Sequence, residues 1–406
     1  MKSKIIISEK DGIVRYGCFA DGQPVELYCE QKQRQSLLGN IYAARVERVA
    51  DGIGGAFLEI AEGKKCYYRL PKNGQPIKLS PGHADRICGG DILLVQIVKD
   101  AVKTKLPVAD SNISLTGKYF VLTLGDERFG VSKKIRDTQE RERLLGIAAQ
   151  YHSDAFGIVV RTNAEQVPKE ELVQELDDLV RKYQELMRKA NYAKARSLLY
   201  QEPPYYITFA QEWPEQELES IVTDNPAIYE NLREYYETPQ NAKLFNILCL
   251  YTDSYPLEKL YRLDHFYEQA TQKYVWLSSG GSLVIEPTEA MVVIDVNSGS
   301  VTKKKSKAAS VYYQINQEAA AEIAKQLRLR NLSGMIVIDF INMDNKEQRK
   351  ELLSYLAEEC KKDRIGCQVI DITALGLVEM IRRKERKPLH EQLQAISSYV
   401  ISAENK

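Results

Sequence analysis

The chain has 406 residues, 44 % of them hydrophobic and 28 % charged, enough by length for two to four domains with substantial cores. Its 56 basic and 56 acidic residues cancel, so any nucleic-acid site must be a local basic patch rather than a global field. No run approaches the ~18 apolar residues of a membrane-spanning helix. The seven scattered cysteines form no C-x-x-C pair, which argues against zinc and disulfide frameworks and fits reduced thiols in a cytoplasm.

The opening "MKSKIIISEKDG" reads as a strand, since its three-Ile run is too short for a secretory signal. Residues 1–35 continue as short strands with a turn at "ADGQP". Across 36–117, "GNIYAARVERV", "GGAFLEIA", "CYYRL", "GDILLVQIV" and "VADSNISL" are short strands split by Gly, Asp, Pro and Asn. Five such strands predict a small barrel of the OB type. "KYFVLTL" and "FGIVVRT" are strands around the charged, helical "DTQERERLLGIAAQ". Residues 168–199 predict a long amphipathic helix with Leu172, Leu176, Leu179, Tyr183 and Leu186 as its stripe and Pro168 near its start. Residues 205–278 mix helices with the strands "YYITFA", "SIVTD" and "KYVWLS". From 279 onward strands and helices alternate, which predicts a parallel α/β sheet. The tail "AISSYVISAENK" is expected to be loose.

Within that last part, "MVVID" and "MIVID" are apolar strands ending in Asp295 and Asp339. A helix from about Ser310 to Asn331 joins them. Its Ile315, Ala319, Ile323 and Leu327 share one face, and Gly334 is its expected stop. Strand, crossover helix and strand make a right-handed βαβ unit. Were the two strands adjacent, both carboxylates would meet at the sheet's C-terminal edge, where open α/β sheets take ligands. Asn297, two residues after Asp295, points the same way. Two carboxylates and an amide, without His or Cys, are hard ligands suited to Mg²⁺ or Mn²⁺. The run Lys303, Lys304, Lys305, Lys307 follows directly and could hold phosphate as point charges. Acids at strand ends also serve as helix caps or solvated turn residues, and a basic run is ordinarily a solvated loop. The residues alone leave those readings open.

"EPTEAMVVIDVNSG", "NQEAAAEIAKQLRLRNLSGMIVIDFINM" and "LGLVEM" together resemble the catalytic region of the ribonuclease E/G family. The resemblance extends through "SSGGSLVIE", "RSLLYQEPP", "GIVVRTNA", "FGVSKKI" and the barrel, over roughly residues 36–390. It implies an α/β (α+β multidomain) chain. Residues 1–35 and 200–278 would form a ribonuclease-H-like structural subdomain, and 36–117 an inserted OB-type RNA-binding barrel. Residues 118–199 would form a 5′-end sensor, and 279–395 a deoxyribonuclease-I-like catalytic subdomain. It further implies that Asp295 and Asp339 hold a catalytic Mg²⁺ with Asn297 orienting the first acid, for endonucleolytic cleavage of single-stranded RNA in rRNA processing or mRNA decay.

The resemblance places stacking aromatics at Phe57 and Tyr67, where a barrel-core role is the alternative. Lys105 matches an RNA-contacting lysine, although this chain carries "VKTKLP" where relatives have a glycine-flanked loop. Arg161 and Thr162 match the segment that binds a 5′-monophosphate, for which a guanidinium fork is suited. The sequence departs from the family in lacking the C-P-x-C-x-G knuckle, so no zinc and no zinc-linked dimer are expected. It also has Ala374 where an arginine is common and Asn342 where an acid is common. The expected partner is single-stranded RNA in the cytoplasm, with a homodimer still open and no membrane or small-molecule cofactor. The rival readings are a non-cleaving RNA-binding relative and a metal-dependent phosphoesterase of small substrates.

Overall fold

The computed structural model describes residues 2–404 except 33–35, 51, 53, 71–75, 80–85, 102–104, 126–127, 239–240, 300–307 and 344. The chain divides into two compact units. One comprises Met1–Arg34, Gln216–Glu230 and Ile247–Lys406, and the other Gln35–Glu215 and Asn231–Asn246. Residues 200–215 and 231–246 therefore group with the barrel, whereas the sequence reading placed all of 200–278 with the N-terminal strands.

In the first unit, Ser3–Lys10, Ile13–Ala20 and Gln23–Gln31 form an antiparallel meander. Its two turns are Asp11-Gly12 and Asp21-Gly22, all four residues at positive φ, as tight two-residue hairpins require. Leu218–Thr223 adds parallel to the first strand, and Leu248–Leu250 parallel to that. Ile5, Ile6 and Ile7 are all fully buried, so this sheet is covered on both faces.

The same unit holds a six-stranded sheet in the spatial order Tyr274–Trp276, Ser282–Pro287, Met291–Asn297, Gly334–Asp339, Val378–Arg382, Cys367–Ile372. The expectation of a parallel sheet is corrected here: only Met291–Asn297 and Gly334–Asp339 run parallel, and the other pairings are antiparallel. "LGLVEM" supplies an extra strand because Thr373 and Gly376 close a tight turn, Thr373 donating its N–H to Leu377 O at 2.8 Å. The crossover helix spans Ala308–Leu329. Ile315, Ala319, Ile323 and Leu327 all lie in the core, at 1 % exposure or less. Asn331, not Gly334, takes the left-handed position at its end, with φ 49°. Leu332 N–H bonds Leu327 O and Asn331 N–H bonds Arg328 O, a Schellman termination. The tail expected to be loose is helical over Leu389–Glu404.

In the second unit, Ile41–Ala50, Gly55–Ala61, Lys64–Arg69, Val108–Asp110 and Ile92–Lys99 pair in that order, and the last closes on the first. That closure gives the five-stranded barrel the sequence predicts. The long helix covers Lys169–Asn191, shorter than 168–199. Arg196 sits at φ 69°, and Ser197–Tyr200 leaves the helix to pair with Ile41–Ala50. "YYITFA" is helical rather than extended: Tyr205–Thr208 and Phe209–Glu212 follow two prolines, and the Tyr205 and Phe209 rings meet at 5.6 Å, four residues apart.

Candidate active site

Register assembles the site. Met291–Asn297 and Gly334–Asp339 pair from Met291↔Met335 to Asp295↔Asp339, so the acids stand side by side at the strand ends. Adjacent strands are about 4.8 Å apart. Val292, Ile294, Val296, Ile336 and Ile338 are buried with the crossover helix. Strict alternation then turns Val293, Asp295, Asn297, Met335 and Asp339 to the opposite, accessible face. Asn297 Nδ2 donates to Asp295 Oδ2 at 2.7 Å, fixing one oxygen of the first acid and leaving its second for another partner.

Two side-chain clamps brace these ends, one buried and one half-buried, and neither was legible as functional in the sequence. Asn316, fully buried on the crossover helix, donates to Ile341 O at 2.7 Å and accepts from Ile341 N at 3.0 Å. It thereby pins the chain two residues beyond Asp339. Glu318, two residues further along the same helix, accepts from Ser278 N at 2.6 Å and Ser279 N at 3.2 Å. That hairpin turn abuts the backbone of the first acid's strand. A Cβ on Gly281 would meet Asn297 O at 2.8 Å, and one on Gly299, itself at φ 61°, would meet Gly280 O at 2.2 Å. Only glycine permits so close an approach. The one available signal was the pair of polar residues interrupting the apolar face of "YYQINQEAAAEI".

Glu379 lies on the accessible face one strand further, opposite Val337. It does not complete a cage: among the described residues no three His, Cys, Asp or Glu side chains gather as a metal cluster. The lysines 303 and 304 lie outside the described residues.

The remaining candidates belong to the second unit. Phe57 and Tyr67 pair across strands with ring centroids 5.9 Å apart at 67°. Ala56, Leu58, Cys66 and Tyr68 fill the barrel core, and the two candidates lie half-buried on its outer face, not in that core. The Arg48 guanidinium sits 5.0 Å from the Phe57 ring centre. Lys105 is exposed. Arg161 donates through Nη1 to Gly117 O at 2.6 Å, and Thr162 Oγ1 shares a 2.9 Å hydrogen bond with Ser132 Oγ. Ser132, in "FGVSKKI", was not singled out from sequence. Glu175 holds the turn beside Arg161 by accepting from the amides of Lys118, Tyr119 and Phe120. Burial nonetheless raises its pKa above the usual carboxylate value.

The acid pair thus stands at the end of a parallel strand pair, in a chain that also carries a five-stranded barrel, and comparison with known proteins gives the family. The Ribonuclease E/G family matches residues 114–385, and the chain belongs to it. It is similar to Ribonuclease G of Escherichia coli K12, 31 % identical over 406 residues that cover 97 % of this chain and 82 % of that protein. It also resembles Ribonuclease E of a Nostoc species, 31 % identical over 96 % of this chain and 57 % of that one. Ribonuclease G of Haemophilus influenzae is 30 % identical over 91 % of this chain and 77 % of its own length.

Proposed function

We propose that this member of the ribonuclease E/G family is an endoribonuclease that cleaves single-stranded RNA with Mg²⁺ or Mn²⁺ held between Asp295 and Asp339. The observation that carries the proposal is the matched register of the two acids, with the Asn297 amide on one of them. Two carboxylates so close repel one another, and a divalent cation removes that repulsion. Mg²⁺ suits a two-carboxylate site because it keeps several waters and completes its shell with substrate phosphate. Bound there, the ion would supply Lewis acidity and an activated water. The chain's own contribution is to fix the acids: Asn297 orients Asp295, while Asn316 and Glu318 hold the flanking backbone.

In this reading Phe57 and Tyr67 stack unpaired bases while cations such as Lys105 track the backbone. Arg161, Thr162 and Ser132 receive a 5′-monophosphate, with the exposed Lys133 and Lys134 beside them. The strand order of the N-terminal sheet supports a ribonuclease-H-like scaffold, and the six-stranded sheet a deoxyribonuclease-I-like catalytic part. Processing of rRNA precursors or mRNA decay in the cytoplasm, by a homodimer formed without zinc, completes the proposal. Retention of both acids and Asn297 counts against a non-cleaving relative. Incubating a 5′-monophosphorylated, A/U-rich single strand with protein and Mg²⁺, or with EDTA, and mapping fragment ends tests it. Absence of Mg²⁺-dependent internal cuts would overturn it.

A further inference from the structure

The edge strand Tyr274–Trp276 ends in a tryptophan that is 75 % exposed, two residues after a tyrosine that is 55 % exposed. Val275 between them packs on the core, so both rings stand on the accessible face of the sheet. Register places them level with the acid site. Tyr274 pairs with Val284, which pairs with Asp295, which pairs with Asp339. Trp276 pairs with Ser282, which pairs with Asn297. Tyr274 and Trp276 therefore stand two strand spacings, about 10 Å, from Asp295 and Asn297, and Tyr274 three, about 14 Å, from Asp339.

The platform is held in place. Leu277 N donates to Gly281 O and Gly280 N to Leu277 O, both at 2.9 Å, closing the turn that Glu318 also grips. Lys273 pairs with Glu286 at 2.5 Å and lies 5.9 Å from the Tyr274 ring centre, which puts a cation beside the aromatic surface. Other exposed apolar residues of this face, Val293, Met335 and Ile381, stand lower on their strands, away from the acids. The two rings are exposed aromatics level with the acids, and exposed Leu375 lies at the same end of the sheet, in the turn leading into Val378, the partner of Ile338.

We propose that Tyr274 and Trp276 form a base-stacking site for single-stranded RNA, receiving an unpaired nucleobase close to the phosphodiester presented to Asp295 and Asp339. The site deepens the endoribonuclease reading and rests on it. Stacking is tolerant of base identity, so this site selects unpaired over paired RNA rather than one base over another.

The chain has two tryptophans, and Trp213→Phe leaves Trp276 as the sole indole emitter. A single-stranded, A/U-rich oligoribonucleotide titrated into that variant in EDTA quenches the emission, and the same sequence as a blunt duplex does not. Trp276→Ala, at a position too exposed to endanger folding, weakens single-strand binding and raises KM about ten-fold with kcat changed less than three-fold. Trp276→Phe restores most of the affinity. Unchanged emission while filter binding shows saturation, or unchanged Kd and KM in Trp276→Ala, overturns the site. So does a Trp276→Ala variant whose sedimentation mass changes while its RNA affinity does not, since the face would then dock a second copy of the chain. Quenching without any cleavage under Mg²⁺ would sink the endoribonuclease reading and still support RNA stacking at Trp276.

Discussion

Replacing Asn297 by alanine removes one hydrogen bond from the acid pair and nothing from the fold. The bond runs 2.7 Å from Nδ2 to Asp295 Oδ2, a neutral donor to a charged acceptor. Such bonds contribute roughly 1.5–3 kcal/mol. Asn297 is exposed and Asp295 only half-buried, so water competes and the low end applies, about 1.5 kcal/mol, or roughly ten-fold. Groups that orient metal ligands commonly change metal affinity or activity by that factor or more. Asn297→Ala should therefore raise the Mg²⁺ concentration for half-maximal cleavage about ten-fold, with much of the rate recovered at high Mg²⁺. RNA affinity measured in EDTA should stay within two-fold, because Asn297 does not bind the substrate in this reading. Rates on a defined single strand over a Mg²⁺ series, with filter binding alongside, make the measurement. An unchanged Mg²⁺ midpoint, or a loss confined to RNA affinity, would refute the positioning role.

Asp295→Asn or Asp339→Asn should lower cleavage to less than a tenth of the wild-type rate, a loss above ~1.4 kcal/mol, while RNA binding persists; faster cleavage by either variant would remove the metal assignment. Arg161→Gln should slow 5′-monophosphorylated RNA to the rate of 5′-hydroxyl RNA and leave the latter nearly unchanged, and equal kcat/KM for the two ends in the wild type would eliminate the sensor reading. Arg382 is fully buried, with Nε 2.7 Å from Asp363 Oδ2 and Nη1 2.8 Å from Asn331 Oδ1. Arg382→Met should cost the first unit about 3–5 kcal/mol by leaving a buried carboxylate without its partner, and urea denaturation showing less than 1 kcal/mol would contradict that.

What could be read from the sequence follows the range of the interactions. The acid-tipped strands, the stripe from Leu172 to Leu186 and the face from Ile315 to Leu327 are periodic, and periodicity is local. The Asp-Gly turns announce their own geometry. "YYITFA" misled because aromatic and β-branched residues favour strands only where a neighbour strand exists; here i,i+4 ring contact decided. The strand Val378–Arg382 was missed because it is short and takes its place between a hairpin partner, Cys367–Ile372, and Gly334–Asp339, some forty residues back in the chain. Asn316 and Glu318 looked like ordinary helix residues, since the backbone groups they satisfy are distant in the chain. For Phe57 and Tyr67 alternation alone could not say which barrel face they take, and the packing of Ala56 and Leu58 settles it.

The parallel pairing of Met291–Asn297 with Gly334–Asp339 makes the site self-checking. A slip of one residue in either strand would turn its aspartate into the apolar layer beneath the crossover helix and push Ile294 or Ile338 into water. Burying the carboxylate alone would be prohibitive, so misaligned states are disfavoured by the same residues that perform the chemistry. The chain thus has little room to fold with its acids out of step.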